Sequence, residues 1–260
     1  MKKRIKKIAI ILGVLVIVAT LSILAQRFQS QFDDKNILLE FRNNNVIPKQ
    51  SFIPFQKYKI SSFTIGDINK PKILFIHGSP GYWFDFKNVF MDSLLQANYC
   101  MISFDRPGYG NTNIPPQTSL KNQARVAAAV MKYYGGNFEK CIIVGHSYGG
   151  AILEQCMLDY SNRISNAIYV APCLSPAYQK AKWYNLIASG GLSKKIIPNA
   201  LSISNMEMMA LSDNLKKNES RLSEINLPTY YIQGKKDVLV PYKTLYLLFT
   251  IPEKDKLSVN

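Results

Sequence analysis

Between Lys72 and Ile232 the chain alternates short unbroken apolar runs with longer stretches whose apolar residues recur at helical spacing. The runs Lys72 to Ile76, Tyr99 to Phe104, Cys141 to Val144 and Ala167 to Ala171 lack the in-out alternation of a half-exposed sheet, so each predicts a strand covered on both faces. Phe86 to Ala97, Leu120 to Tyr134 and Ala151 to Tyr160 predict the helices between them. Strand followed by helix, repeated, predicts an α/β fold class with a doubly wound, mostly parallel sheet. Upstream, alternating segments between Phe52 and Ile65 predict an antiparallel pair of leading strands. Leu227 to Ile232 predicts a late strand ending in Gln233-Gly234-Lys235-Lys236-Asp237. Tyr242 to Phe249 then predicts a short helix, and Lys256 to Asn260 the start of a final strand, incomplete within the chain.

Two regions break the alternation. Leu174 to Ser223 predicts a helical lid inserted into the sheet domain, with Gly190-Gly191 and Pro198 as breakers. Its Trp183, Tyr184, Ile187, Met206, Met208 and Met209 suit either the lining of a substrate pocket or the packing of the lid on the core. At the other end, Met1 to Lys7 is basic and Ile8 to Ala25 is an apolar span of 18 uncharged residues. At about 1.5 Å per residue such a span just crosses a hydrocarbon core of about 30 Å. A cleaved signal peptide competes, but the apolar run exceeds the usual signal core and Ile23-Leu24-Ala25 makes a poor cleavage site. The favoured organisation is a basic flank and transmembrane anchor over 1–30, a linker over 31–51, and one sheet domain over 52–260 with a lid at about 174–223. The positive flank places the amino terminus in the cytoplasm and the domain outside a single-pass cell-membrane anchor.

Composition narrows the partners. Lys2, Lys3, Arg4, Lys6, Lys7 and Arg27 supply six of the +15 net charge before the first acid, Asp33. No Lys/Arg run with interleaved aromatics follows, so an anionic membrane surface fits better than nucleic acid. Cys100, Cys141, Cys156 and Cys173 lie in or beside apolar runs, without metal-ligand spacing, and read as buried free thiols with a disulfide as the alternative. No metal or organic cofactor is implied.

The candidate chemistry sits at strand ends. Gly145-His146-Ser147-Tyr148-Gly149 matches G-x-S-x-G, which presents a serine on a tight strand-to-helix turn; Gly145 and Gly149 give the clearance. His77-Gly78-Ser79-Pro80-Gly81 and Asp105-Arg106-Pro107-Gly108-Tyr109-Gly110 end two other strands, on the edge where open parallel sheets bind ligands. The chain's two histidines, His77 and His146, read as a turn brace and as a ring locked beside the serine; Asp105 reads as a structural turn.

Together, in this order, these motifs resemble the α/β-hydrolase fold family, the lipase, esterase and peptidase-like serine hydrolases with a helical lid. The resemblance covers about Phe52 onward. It implies Ser147 as nucleophile, Asp237 as the acid, and backbone N–H groups of Ser79 and Tyr148 as the oxyanion hole. It also implies a catalytic histidine after the final strand, and none is found within the chain: a truncated sequence, a descendant without turnover, or an unrecognised base would each account for that. The implied function is a membrane-anchored serine hydrolase acting on a small-molecule carboxylic ester or related acyl substrate. The alternatives are an inactive binding module and a prolyl-aminopeptidase-like peptidase, the latter suggested by the His-Gly-x-Pro-Gly loop but without an evident acidic cluster for a substrate amine. Serine rather than aspartate at the elbow argues against dehalogenase or epoxide-hydrolase chemistry.

Overall fold

A computed structural model describes residues 34–136, 140–190, 197–237 and 240. Its centre is a seven-stranded sheet of β1 (Lys49–Phe55), β2 (Tyr58–Ile65), β3 (Lys72–Ile76), β4 (Cys100–Phe104), β5 (Cys141–His146), β6 (Ile164–Val170) and β7 (Thr229–Ile232), in the order β1-β2-β4-β3-β5-β6-β7. β1 pairs antiparallel with β2, and β2 with β4; from β4 onward every pairing is parallel. The expected leading pair and parallel core are therefore present. β3 shows why its sequence is continuously apolar. Ile73 and Phe75 pack on one face of the sheet and Leu74 and Ile76 on the other, so all five residues of the strand are buried.

Helices cover both faces. One carries α4 (Leu120–Gly135) and α5 (Tyr148–Tyr160); the other carries α1 (Asp34–Asn43) and the segment expected as one helix from Phe86. That segment is broken into a 3-10 turn (Trp83–Phe86), α2 (Lys87–Phe90) and α3 (Ser93–Asn98), the last started by Asp92, whose side chain accepts a bond from Leu95 N. The lid follows β6 as α6 (Trp183–Ala188) and α7 (Asn199–Asn218), with a 3-10 turn (Glu219–Glu224) leading back to β7.

One boundary needs correction. Residues 31–51 were expected to be a linker, yet α1 is folded onto the core and β1 begins at Lys49. Ile37 and Phe41 of α1 are buried, and Phe41 stacks on Trp83 at 5.6 Å, which in turn stacks on Phe63 at 3.7 Å. Asp34 accepts from Trp83 Nε1 at 2.9 Å and from Asn111 Nδ2 at 2.6 Å. A helix with two buried residues is held by tertiary contacts rather than by its own pattern. The apolar span 8–25, the helix expected at Tyr242 to Phe249 and the final strand lie outside the described residues. Among the described residues no helix is long and apolar enough to cross a membrane.

Candidate functional site

Ser147 stands between β5 and α5 with φ 53° and ψ −117°, the left-handed region that a residue with a β-carbon rarely occupies. The backbone holds it there from both sides. Its N–H donates to Val170 O at 3.0 Å, and its carbonyl accepts from Gly150 N and Cys173 N, each at 3.0 Å. The flanking glycines are steric requirements. A β-carbon on Gly145 would lie 2.7 Å from Gly149 O, and one on Gly149 would lie 2.2 Å from Ile76 O. Strand and helix therefore approach too closely for any other residue.

The loop after β3 lies against this elbow: a β-carbon on Gly78 would sit 3.3 Å from Ser147 Cβ. Of the candidate oxyanion donors, Ser79 follows Gly78 in this loop and Tyr148 is the first residue of α5, next to the serine. Asp237 follows β7, two strands from β5 on the same edge of the sheet. Its Oδ1 accepts from Val240 N at 2.9 Å and its Oδ2 from Gln233 Nε2 at 3.1 Å. Asp237 also bears electrostatically on His146 and Cys173.

The two histidines do different work. His77 is fully buried; Arg106 N donates to its Nε2 at 3.1 Å, and its Nδ1 lies 2.9 Å from Gly78 O and 3.4 Å from Arg106 Nε. Burial, then the Arg106 charge, push its pKa well below the usual histidine value. With both nitrogens committed, His77 braces the loop. The His146 ring meets Phe86 edge-on at 6.2 Å, and burial lowers its pKa while Asp237 raises it. Among the described residues the recorded side-chain partner of Ser147 Oγ is the thiol of Cys173, 3.6 Å away, whose pKa burial raises. Cys173 was expected only as a buried thiol, since its contact with the serine depends on how β6 ends beside the elbow. Asp105 is a turn residue as expected: its carboxylate accepts from Trp83 N at 3.2 Å and Asn111 N at 3.1 Å.

The group with no sequence forecast is Glu207, on lid helix α7. It is fully buried and ion-paired to Arg106, with Nη1 to Oε1 at 2.6 Å and Nη2 to Oε2 at 3.1 Å. Gln123 Nε2, Tyr109 Oη and Ser79 Oγ donate to the same carboxylate at 2.9, 2.9 and 2.5 Å. Arg106 also donates to Gly78 O at 2.6 Å and lies 4.9 Å from the ring centres of both Tyr109 and Tyr148. One buried ion pair thus fastens the lid to the side chains of Ser79 and Tyr148, whose backbones are the candidate donors. The signal that could have found it is spacing: Ile203, Glu207, Leu211 and Leu215 form one buried stripe of α7, so Glu207 required an internal cation.

Among the described residues no group of histidine, cysteine, aspartate and glutamate is arranged to hold a metal.

Comparison with known proteins agrees with this architecture. The profile of the alpha/beta hydrolase family matches residues 73–222. Epoxide hydrolase 4 of Mus musculus is 26% identical over 106 residues, which is 40% of this chain and 29% of that protein. Proline iminopeptidase of Elizabethkingia meningoseptica is 24% identical over 183 residues, 69% of this chain and 58% of that protein. The chain therefore spans less than two thirds of either relative. The crystal structure of a membrane phospholipase A, described as a bacterial virulence factor, superposes with a TM-score of 0.61 at 16% identity, covering 100% of this chain and 90% of the other. At that identity the likeness concerns the fold.

Proposed function

We propose that this chain, which belongs to the alpha/beta hydrolase family, is a membrane-anchored serine hydrolase that cleaves a carboxylic ester or related acyl compound through an acyl-enzyme on Ser147. The observation that carries the reading is the backbone of Ser147, held at φ 53° by bonds to Val170 and Cys173 at the carboxyl edge of the sheet. A non-glycine residue is kept in that conformation only where its surroundings over-determine it, and such strain clusters at reactive positions.

In this reading Ser147 Oγ passes its proton to a base other than His77 and His146, attacks the acyl carbonyl and, as the acyl–oxygen bond breaks, the alcohol leaves with that proton, while the N–H groups of Ser79 and Tyr148 bind the oxygen that becomes negative. The Arg106–Glu207 pair stiffens both residues before substrate arrives, so the donors need no rearrangement as charge develops. Asp237 is the acid that would orient the base. Glu207 is already bonded by four side chains, which leaves it unsuited to receiving a substrate amine and favours an ester over a peptide amino terminus. The basic flank and the apolar span 8–25 support the anchored placement.

A binding module that keeps the elbow without turnover is the second reading, favoured because His77 has both ring nitrogens occupied and Ser147 Oγ has the Cys173 thiol beside it. Fluorophosphonate labelling of the full chain decides between them. Labelling that disappears in Ser147→Ala is the expected result; an unlabelled wild type overturns the hydrolase.

A further inference from the structure

Helix α6 is mounted inside out. Trp183, Leu186 and Ile187, at i, i+3 and i+4, share one face, and they are 72%, 62% and 62% exposed. Its polar residue Asn185 points inward instead. Asn185 Nδ2 donates to Asn205 Oδ1 of α7 at 2.8 Å, and Asn205 Nδ2 returns bonds to Asn185 O at 3.1 Å and Ser189 Oγ at 2.9 Å. A surface helix of a water-soluble domain presents the opposite arrangement, apolar stripe inward and polar face outward. The inward amide bonds fix the orientation, so the apolar face is built to be outside. Tyr178, 46% exposed, adds a ring to the same part of the lid.

Charge and chain path identify what covers it. Lys180 and Lys182, both exposed, lie just ahead of the helix in sequence, with Lys182 at its N-cap, and no acidic residue occurs between Asp159 and Glu207. Tryptophan beside lysine on an apolar helix face is the composition of a segment lying in the headgroup region of a bilayer. The lid leaves from the carboxyl end of β6, and Asp34 is bonded to Trp83 and Asn111, on the loops after β3 and β4 at that same edge. In the sequence only Gln26 to Asp33 separate Asp34 from the apolar span ending at Ala25. Eight residues reach at most about 28 Å. The edge that carries Ser147 is therefore the edge from which the chain leads to its most apolar segment.

We propose that the outer face of α6 docks on an anionic lipid bilayer, with Trp183, Leu186 and Ile187 entering the headgroup boundary and Lys180 and Lys182 meeting lipid phosphates, so that the Ser147 edge faces the membrane. The contact rests on the lid surface and not on catalysis by Ser147; the anchored placement adds the tether and is read separately below.

The full chain, reconstituted into vesicles of mixed phosphatidylglycerol and phosphatidylcholine, tests this through its two tryptophans, of which Trp83 is fully buried. Brominated acyl chains should quench the Trp183 emission at least two-fold, and the quenchable component should vanish in Trp183→Phe. Leu186→Glu combined with Ile187→Glu, at exposed positions that leave the fold intact, should abolish the quenching, and vesicles of phosphatidylcholine alone should reduce it. Flotation of the same samples reports the anchor independently. Vesicles that float the protein while Trp183 stays unquenched and open to acrylamide keep the anchor and overturn the lid contact. Trp183 shielded from both quenchers, with the chain cross-linking as a dimer, assigns the face to a second copy and also overturns it. Equal quenching on neutral vesicles overturns the role of the lysines.

Discussion

At Ser147 a few tenths of a nanometre decide what the residue can be. Its conformation is imposed by close approach, and the imposing atoms are identifiable. Alanine at a helical position is ordinarily favoured over glycine by about 1 kcal/mol. Gly149 should reverse that preference, because a β-carbon there would meet Ile76 O at 2.2 Å and His77 O at 2.7 Å, backbone atoms of the strand and loop that carry Ser79. Gly149→Ala should lower the unfolding free energy by about 1–3 kcal/mol and slow fluorophosphonate labelling by displacing Ser147. Gly234→Ala, whose new β-carbon would find ordinary contacts at 3.8 Å, should be close to neutral in the same denaturation and labelling assays. The elbow was legible in the sequence because its steric demand is local and leaves glycines at fixed spacing. Cys173 beside Ser147 Oγ was not, since the two residues are 26 positions apart and meet only because β5 and β6 are neighbours.

Among the elements, strands were the most legible and the lid least. β3 and β4 announce themselves because burial on both faces makes four of the five residues in each apolar, Lys72 and Ser103 being the exceptions, whereas α1 buries only Ile37 and Phe41 and carries no comparable pattern. The lid reads in the sequence only as a helical excursion over 174–223, without the bounds of α7, and the partner of Glu207 lies 101 positions away in a turn that carries its own structural explanation. That pairing governs the element. Taking one member from a buried ion pair leaves the other charge unpaired in a dry site, at a cost of about 3–5 kcal/mol. Glu207→Ala should destabilise the chain by about that much in urea denaturation. The double variant Arg106→Met, Glu207→Leu should recover most of the loss, because neither charge then remains. Equal destabilisation by the single and double variants would mean that packing around α7, not charge, holds the lid.

The whole molecule carries its buried acids as a dependence of stability on pH, and Glu154 gives the cleanest case. It lies on α5, is 3% exposed, and accepts from Asn218 Nδ2 at 3.1 Å, so it ties the end of α7 to the core. Burial pushes its pKa from the ordinary 4.5 to about 7. Asp105, fully buried, is pushed to about 7 by the same cause. A carboxyl group with a raised folded-state pKa stays protonated in the native protein at pH values where the unfolded chain has already released that proton. The native state then binds more protons than the unfolded state, so stability falls as pH rises. For Glu154 the contribution is complete below about pH 4.5 and is lost as pH climbs through about 7. His77 acts in the opposite sense, since the unfolded chain takes up a proton below its ordinary pKa of 6.5 that the buried ring refuses. Glu154→Gln keeps the oxygen that accepts from Asn218 and removes the ionisation. It should therefore match wild type near pH 4.5 and exceed it progressively toward pH 8, by at most about 3 kcal/mol. Unfolding free energies measured for both chains across that range should open a gap that grows with pH. A constant gap would show that the carboxyl group is already ionised at pH 4.5, and that Asn218 alone is enough to stabilise its charge inside the fold.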